Sequence, residues 1–282
     1  QGVKPDLSKL DYGDPKVYEM IAAADTDGVF QLESAGMRQF LTQFKPNCFE
    51  DVIAGIALFR PGPMEQIPRY IRGKNDPKSV SYPDERLRPI LEKTYGCMVY
   101  QEQVMQIVRD LAGYSWGRSD LVRRAMSKKK AKDVEREREA FLHGDPERNI
   151  AGCVANGIPE ETAKAIYDEI YDFANYAFNK AHAVSYAVVA YQTAYFKCHY
   201  TKEYMAALLT SVLDNTPKVT EYIAECRELG IRLLPPEVRE KASFLFVGKA
   251  AEPEMMDAVR SLTLMFLQMW DVSSVHFTPE VY

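Results

Sequence analysis

Seven basic side chains lie between residues 118 and 132: Arg118, Arg123, Arg124, Lys128, Lys129, Lys130 and Lys132, with Asp120 the one acid among them. Guanidinium forks and ammonium groups gathered this closely suit the oxygens of a phosphate chain. The stretch reads as a helix with Leu121, Val122, Ala125 and Met126 on its apolar face. On that helix Arg124 and Lys128 are four residues apart, where like charges cost about 0.2–0.5 kcal/mol. A solvated helix face explains such a run as readily as a phosphate clamp does. The whole chain carries a net charge of −5, so any phosphate recognition is local rather than a coating of the surface.

Three further segments carry polar chemistry. Phe59-Arg60-Pro61-Gly62-Pro63 sets one arginine against a rigid turn, or simply stops a helix. In Tyr95-Gly96-Cys97-Met98-Val99-Tyr100-Gln101-Glu102-Gln103, Gln101 and Gln103 are placed to read polar edges of a ligand and Tyr100 to stack on a base. Core packing with a polar helix start is the equal alternative. Phe178-Asn179-Lys180-Ala181-His182 precedes an apolar helix that Asn179 or His182 caps. The free N–H groups of that helix start, beside Lys180, form a ready anion site. His182 by itself reads more simply as a satisfied polar group, and Tyr186 and Tyr191 as core aromatics unless a groove passes alongside. Asp25 and Asp27 resemble a metal-binding carboxylate pair, but the Thr-Asp-Gly context favours a turn.

The elements that must position these groups are mainly helical. Asp14-Pro15 opens a helix over 14–24, and a turn at 25–28 leads to the apolar piece Val29-Phe30-Gln31-Leu32. Helices are expected over 37–44 and 48–59, then a polar loop over about 72–82. The spacing of Val104, Ile107, Val108 and Leu111 predicts an amphipathic helix over 101–112. Further helices are expected over 128–141, 160–173, 184–199, 203–213 and 217–229, the last ended by Gly230. Ile231 to Pro236 begins an extended linker.

The chain of 282 residues, 46% hydrophobic and 27% charged, is long enough for one large domain or two smaller ones. It shows no signal peptide and no apolar run of membrane-spanning length, so a soluble, cytoplasmic protein is expected. Five cysteines without a C-x-x-C pair fit reduced thiols, and four scattered histidines give no metal centre. No Walker loop, nucleophile elbow, dinucleotide-binding glycine pattern or H-E-x-x-H motif is present. Phosphate-binding chemistry stands without catalytic chemistry.

Taken in order, Gly28–Ser34, Ala57–Pro63, Tyr100–Met105, Arg123–Lys130 and Phe178–His182 resemble the fingers region of the bacterial DNA polymerase III alpha subunit. The resemblance covers most of residues 14–236. It implies a mainly α-helical fold, the fingers domain of a family C DNA polymerase, with short β pieces and an irregular C-terminal tail. The implied layout is a lead-in over 1–27, fingers over 28–236, and the start of a β/DNA-binding region over 237–282, divergent or truncated. Ser243–Gly248 would start the β element, and 249–282 departs from the family's pattern.

By resemblance, the fingers bind the incoming deoxynucleoside triphosphate (dNTP) and the DNA primer-template. Arg123 and Arg124 match the family's paired arginines on the triphosphate. Lys128, Lys180 and Arg60 are expected alongside them, and Lys129, Lys130, Gln101, His182 and Tyr186 near DNA or base. In the family, three palm aspartates hold two magnesium ions for nucleotidyl transfer. Those aspartates precede the part represented here, so the resemblance implies no catalytic residue and no metal held by this chain, and a fragment inactive alone. A sliding clamp and other holoenzyme subunits would be met through other regions, and no membrane is involved. An error-prone translesion branch of the same superfamily shares these motifs. A non-catalytic helical nucleic-acid-binding module is the alternative of another class.

Overall fold

A computed structural model describes residues 6–127, 131–174 and 177–233. The expectations for Lys128, Lys129, Lys130, the β element at 243–248 and the tail at 249–282 lie outside the described residues. The fold is helical, with twelve α-helices among the described residues. The expected short β pieces reduce there to two isolated bridges, Tyr100 with Phe178 and Asp145 with Ile150. The chain divides into two compact units, Gln1–Phe49 with Tyr186–Tyr282, and Glu50–Ser185.

In the first unit, α1 (Pro15–Ala22) begins as the sequence predicts: Asp14 caps it through Lys16 N and Pro15 takes the first position. The turn after it is built around Thr26, whose hydroxyl donates to the Leu32 carbonyl at 2.6 Å. Gly28 holds a left-handed conformation (φ +74°), and a Cβ there would lie 2.2 Å from Leu208 Cδ2. Only glycine fits. Asp27 pairs with Arg38, which lies on α2 (Ala35–Phe44). These turn interactions account for the Asp25–Asp27 spacing.

The chain enters the second unit at the start of α3 (Phe49–Leu58). Here the sequence expectation of a loop over 72–82 is corrected. Helix α4 (Ile67–Asn75) runs through the first part of it, and a 3₁₀ turn at Pro77–Ser79 takes up part of the rest. Gly73 hides this helix in the sequence, yet it serves packing: a Cβ there would meet Tyr95 Cβ at 2.7 Å. The short α5 (Arg88–Leu91) precedes α6 (Gln101–Ala112). Val104, Ile107, Val108 and Leu111 are fully buried, as their spacing requires. They share one core with Val122 of α7 (Trp116–Ser127), Phe141 of α8 (Ala131–His143) and Ile166, Tyr167 and Ile170 of α9 (Glu160–Ala174). Leu121 is 54% exposed, which removes it from the apolar face predicted for the basic stretch.

Helix α10 (Lys180–His199) carries the chain back into the first unit. There its later residues pack with α11 (Thr201–Ser211) and α12 (Thr216–Glu228). Lys197, 2% exposed, donates to Glu225 Oε1 at 2.6 Å and to the Asp27 carbonyl at 2.9 Å. Helix α12 ends at Gly230 as the sequence predicts: Gly230 N bonds Arg227 O and Ile231 N bonds Cys226 O, the paired bonds of a Schellman motif. All five cysteines are free thiols. Burial pushes Cys97 and Cys226 up to about 11 and Cys153 up to about 12.

One buried carboxylate ties the basic stretch into the second unit. Glu137 of α8 is 7% exposed. Its Oε1 accepts from Arg118 of α7 at 2.7 Å and from Arg148 at 2.6 Å. Replacing Glu137 by Gln leaves two half-desolvated guanidiniums on a neutral amide, so a loss of about 2 kcal/mol is expected. Urea unfolding of Glu137→Gln measures it, and a loss under about 0.5 kcal/mol, the range of a neutral surface change, would contradict this role.

Candidate functional site

The polar residues nominated by the sequence form two groups in the second unit. The first lies on α7. Arg123 sends Nε and Nη2 to Asp120 Oδ1 at 3.1 and 2.8 Å. Arg124 sends Nε to Asp120 Oδ2 at 2.8 Å. The spacings, three and four residues, put all three side chains on one helix face. Arg123 is the more enclosed, and Arg124 is 64% exposed. Hydrogen bonding to Arg123, then the charges of both arginines, holds the Asp120 carboxyl below the usual range. The carboxylate is therefore an anion already seated between two guanidinium forks. Arg118, from the same basic stretch, is committed to Glu137 instead.

The second group forms where the start of α6 meets the start of α10. Gln101 N donates to the Phe178 carbonyl at 2.9 Å, and Gln101 Nε2 to the Ala177 carbonyl at 2.8 Å. Asn179 caps α10, accepting from His182 N at 2.9 Å. The expected free N–H groups of this helix start are not free. Glu102 accepts from Lys180 N with both oxygens, at 3.1 and 2.9 Å, and from Asn179 Nδ2 at 2.9 Å. A carboxylate at a helix N-terminus meets the orphan donors and the positive end of the dipole.

On this framework the Arg60 guanidinium lies 3.8 Å from the centroid of the Phe178 ring. His182 meets the same ring edge-on at 5.4 Å. Lys180 Nζ lies 5.3 Å from the Tyr100 ring centroid. Arg60, Lys180 and His182 thus come together on two aromatic rings, with Gln101 bonded to the backbone beside Phe178. Cation–π contacts of this kind contribute about 0.5–2 kcal/mol. Tyr100 is 3% exposed, so it supports Lys180 from beneath. Gln103 proves to be packing: its Oε1 accepts Val99 N and Tyr100 N, and its Nε2 donates to Thr94 Oγ1.

Tyr186 belongs to the first unit, where it is buried with its ring 5.3 Å from Phe30. Phe178, Glu102 and Asp120 organise the two groups, yet none was nominated. Asp120 had a local signal, its spacing from the arginines. Glu102 had none, because its partners lie 77 and 78 residues away. Trp116, 52% exposed with Arg109 over its ring at 4.2 Å, is a further aromatic on α7.

Two measurements follow from this geometry. Asp120→Asn removes the seated anion, so affinity for tripolyphosphate should rise about three- to tenfold, the effect of about 1 kcal/mol of relieved competition. Unchanged or weaker binding in isothermal titration would contradict the geometry. Burial, then the Arg60 charge, lowers the His182 pKa from its usual 6.5. The depressed folded value means that protonation opposes the native state, so its stabilising contribution is lost as pH falls through 6.5 and below. NMR titration should place the His182 midpoint below 6.5, and Arg60→Gln should raise it. A midpoint at or above 6.5 would show that Arg60 and burial do not act on the ring.

Comparison with known proteins adds an independent finding. The model of the bacterial DNA polymerase III alpha subunit finger domain matches residues 1–149. DNA polymerase III subunit alpha of Thermus aquaticus is 48% identical over 255 residues, 88% of this chain and 20% of that protein. Its counterpart in Bacillus subtilis is 48% identical over 246 residues, 87% of this chain and 21% of that protein. That of Staphylococcus aureus is 43% identical over 243 residues, 86% and 22% of the two chains. The chain spans about a fifth of the length of these curated relatives.

Proposed function

The chain belongs to the bacterial DNA polymerase III alpha subunit finger-domain family, and on that premise we propose that it binds the incoming dNTP and the template during DNA-templated DNA synthesis in chromosome replication. The observation that carries the proposal is the convergence of Arg123 and Arg124 on Asp120. Two forks held on one carboxylate are spaced for neighbouring phosphate oxygens, and binding needs only an exchange of anions. Positive charge there offsets what builds on the leaving pyrophosphate. Lys128 is proposed to add its charge to this site and Lys129 and Lys130 to contact DNA, all three lying outside the described residues.

The second group suits a strand. Arg60 and Lys180 present cations on the Phe178 and Tyr100 rings, a placement suited to backbone phosphates, with the buried Tyr100 ring supporting Lys180 rather than meeting a base. Gln101 and His182 lie beside them, while Tyr186 is buried in the first unit and takes no part in this group. The described residues hold no group of three or more His, Cys, Asp or Glu able to take a metal ion. They do not fit the magnesium pair of nucleotidyl transfer. In this proposal that chemistry, and the contacts with a sliding clamp and other replication subunits, belong to other regions of a cytoplasmic polymerase. The fragment is then inactive alone. No helix among the described residues is long and apolar enough to cross a membrane.

Replacing Arg123 and Arg124 by Ala in the polymerase that carries this segment tests the proposal. Each lost charge-assisted hydrogen bond is worth about 1.5–3 kcal/mol, so the KM for dNTP should rise at least about tenfold or kcat fall comparably. DNA affinity should change little. Unchanged kcat and KM would overturn the assignment. A uniform loss of DNA affinity with a shallower salt dependence would favour a nucleic-acid-binding module without a nucleotide site.

A further inference from the structure

A second polar feature of the second unit takes no part in the site above. Helix α4, the segment 79–81 and the turn at Tyr95 enclose a pocket of about 160 Å³, and none of its lining residues is acidic. Arg69 and Arg72 reach it from one face of α4, three residues apart. Ser79, Ser81 and Tyr95 complete its polar wall.

The two arginines differ in what already holds them. Arg69 is fixed, with Nη1 on Glu169 Oε1 at 2.6 Å and Nη2 on the Gly96 carbonyl at 2.8 Å. Among the described residues no carboxylate pairs with Arg72, and its exposed guanidinium keeps its donors. Ser79 already donates to the Asp76 carbonyl at 2.7 Å, which leaves the Ser81 hydroxyl as the available neutral donor.

The wall is built under constraint. Tyr95 adopts a left-handed conformation (φ +52°) and Gly96 follows at +77°. An aromatic residue keeps this strained conformation only where its surroundings impose it. The Tyr95 ring is held edge-on against Tyr70, with centroids 5.0 Å apart. Gly73 lets the backbone of α4 come against Tyr95 and Val80, where any Cβ would clash. Packing thus holds the Tyr95 wall in place before any ligand arrives.

We propose that this pocket binds a phosphate-type oxyanion, with Arg72 as its principal ligand, Ser81 as a hydroxyl donor and Arg69 as a fixed positive flank. Its volume admits a single phosphate group and is well below the roughly 300 Å³ at which sites for whole small molecules begin. The ligand is free inorganic phosphate or one phosphate of a nucleic-acid backbone. The proposal does not depend on Arg123 and Arg124.

Isothermal titration of the 282-residue chain with inorganic phosphate in low-chloride buffer tests it. In a chain whose Arg123 and Arg124 are replaced by Ala, so that only the pocket reports, saturable binding is expected, weakened about tenfold by Arg72→Ala and partly recovered by Arg72→Lys. Arg72 is exposed, so its variants should fold like the parent chain. Absence of saturable binding, or equal binding by Arg72→Ala, would overturn the proposal. Addition of a short oligothymidylate identifies the source: competition with phosphate assigns the pocket to a nucleic-acid backbone, and unchanged phosphate binding assigns it to the free ion.

Discussion

Two helix starts, α6 and α10, each bring orphan N–H groups that must find acceptors, and they meet that need from each other's neighbourhood. Gln101 N takes the Phe178 carbonyl, and Lys180 N takes the Glu102 carboxylate. Gln101 N is half-buried, where an unpaired donor is expensive, while Lys180 N lies at the surface, where the carboxylate also meets the positive end of the helix. The exchange therefore fixes where Phe178 and Tyr100 stand, and through them Arg60, Lys180 and His182. The cation-bearing rings are a consequence of satisfied helix termini.

The same economy governs charge on α7 and α8. The chain is acidic overall, yet it concentrates arginine and lysine in one stretch, and repulsion within that stretch is met by acids at chosen positions. Glu137 draws Arg118 and Arg148 inward, a packing role. Asp120 keeps Arg123 and Arg124 together at the surface, where an exchange of anions is cheap. Neighbouring arginines in one basic run thus have different fates. Burial of the acid decides which: Glu137 is enclosed, whereas Asp120 remains within reach of solvent and ligand.

Much of the helical framework was legible from local rules. Asp14-Pro15, the buried face of α6, Asn179 and Gly230 each follow from capping or periodicity, and each is found as expected. Where local rules failed, a tertiary contact had overridden them. Gly73 reads as a loop residue, but it is helical because its bare Cα admits Tyr95. Leu121 follows the apolar spacing of its helix but faces solvent. In the sites, the cations were legible because they cluster in sequence. Their long-range anionic and aromatic partners were not, since Glu102 meets Lys180 and Phe178 carries Arg60 only after folding.

The chain belongs to the bacterial DNA polymerase III alpha subunit finger-domain family, and its second unit holds two cationic groups. In the proposed function the α7 arginines meet the triphosphate, and the cations between α6 and α10 meet the strand. The claim at the centre of this account is that the anion seat held by Asp120 is the seat of the triphosphate. A crystal structure of the chain with a bound dNTP tests it most directly. The account predicts phosphate oxygens within hydrogen-bond distance of both Arg123 and Arg124, with Asp120 displaced from them. Nucleotide bound elsewhere, with both arginines still on Asp120, would contradict it.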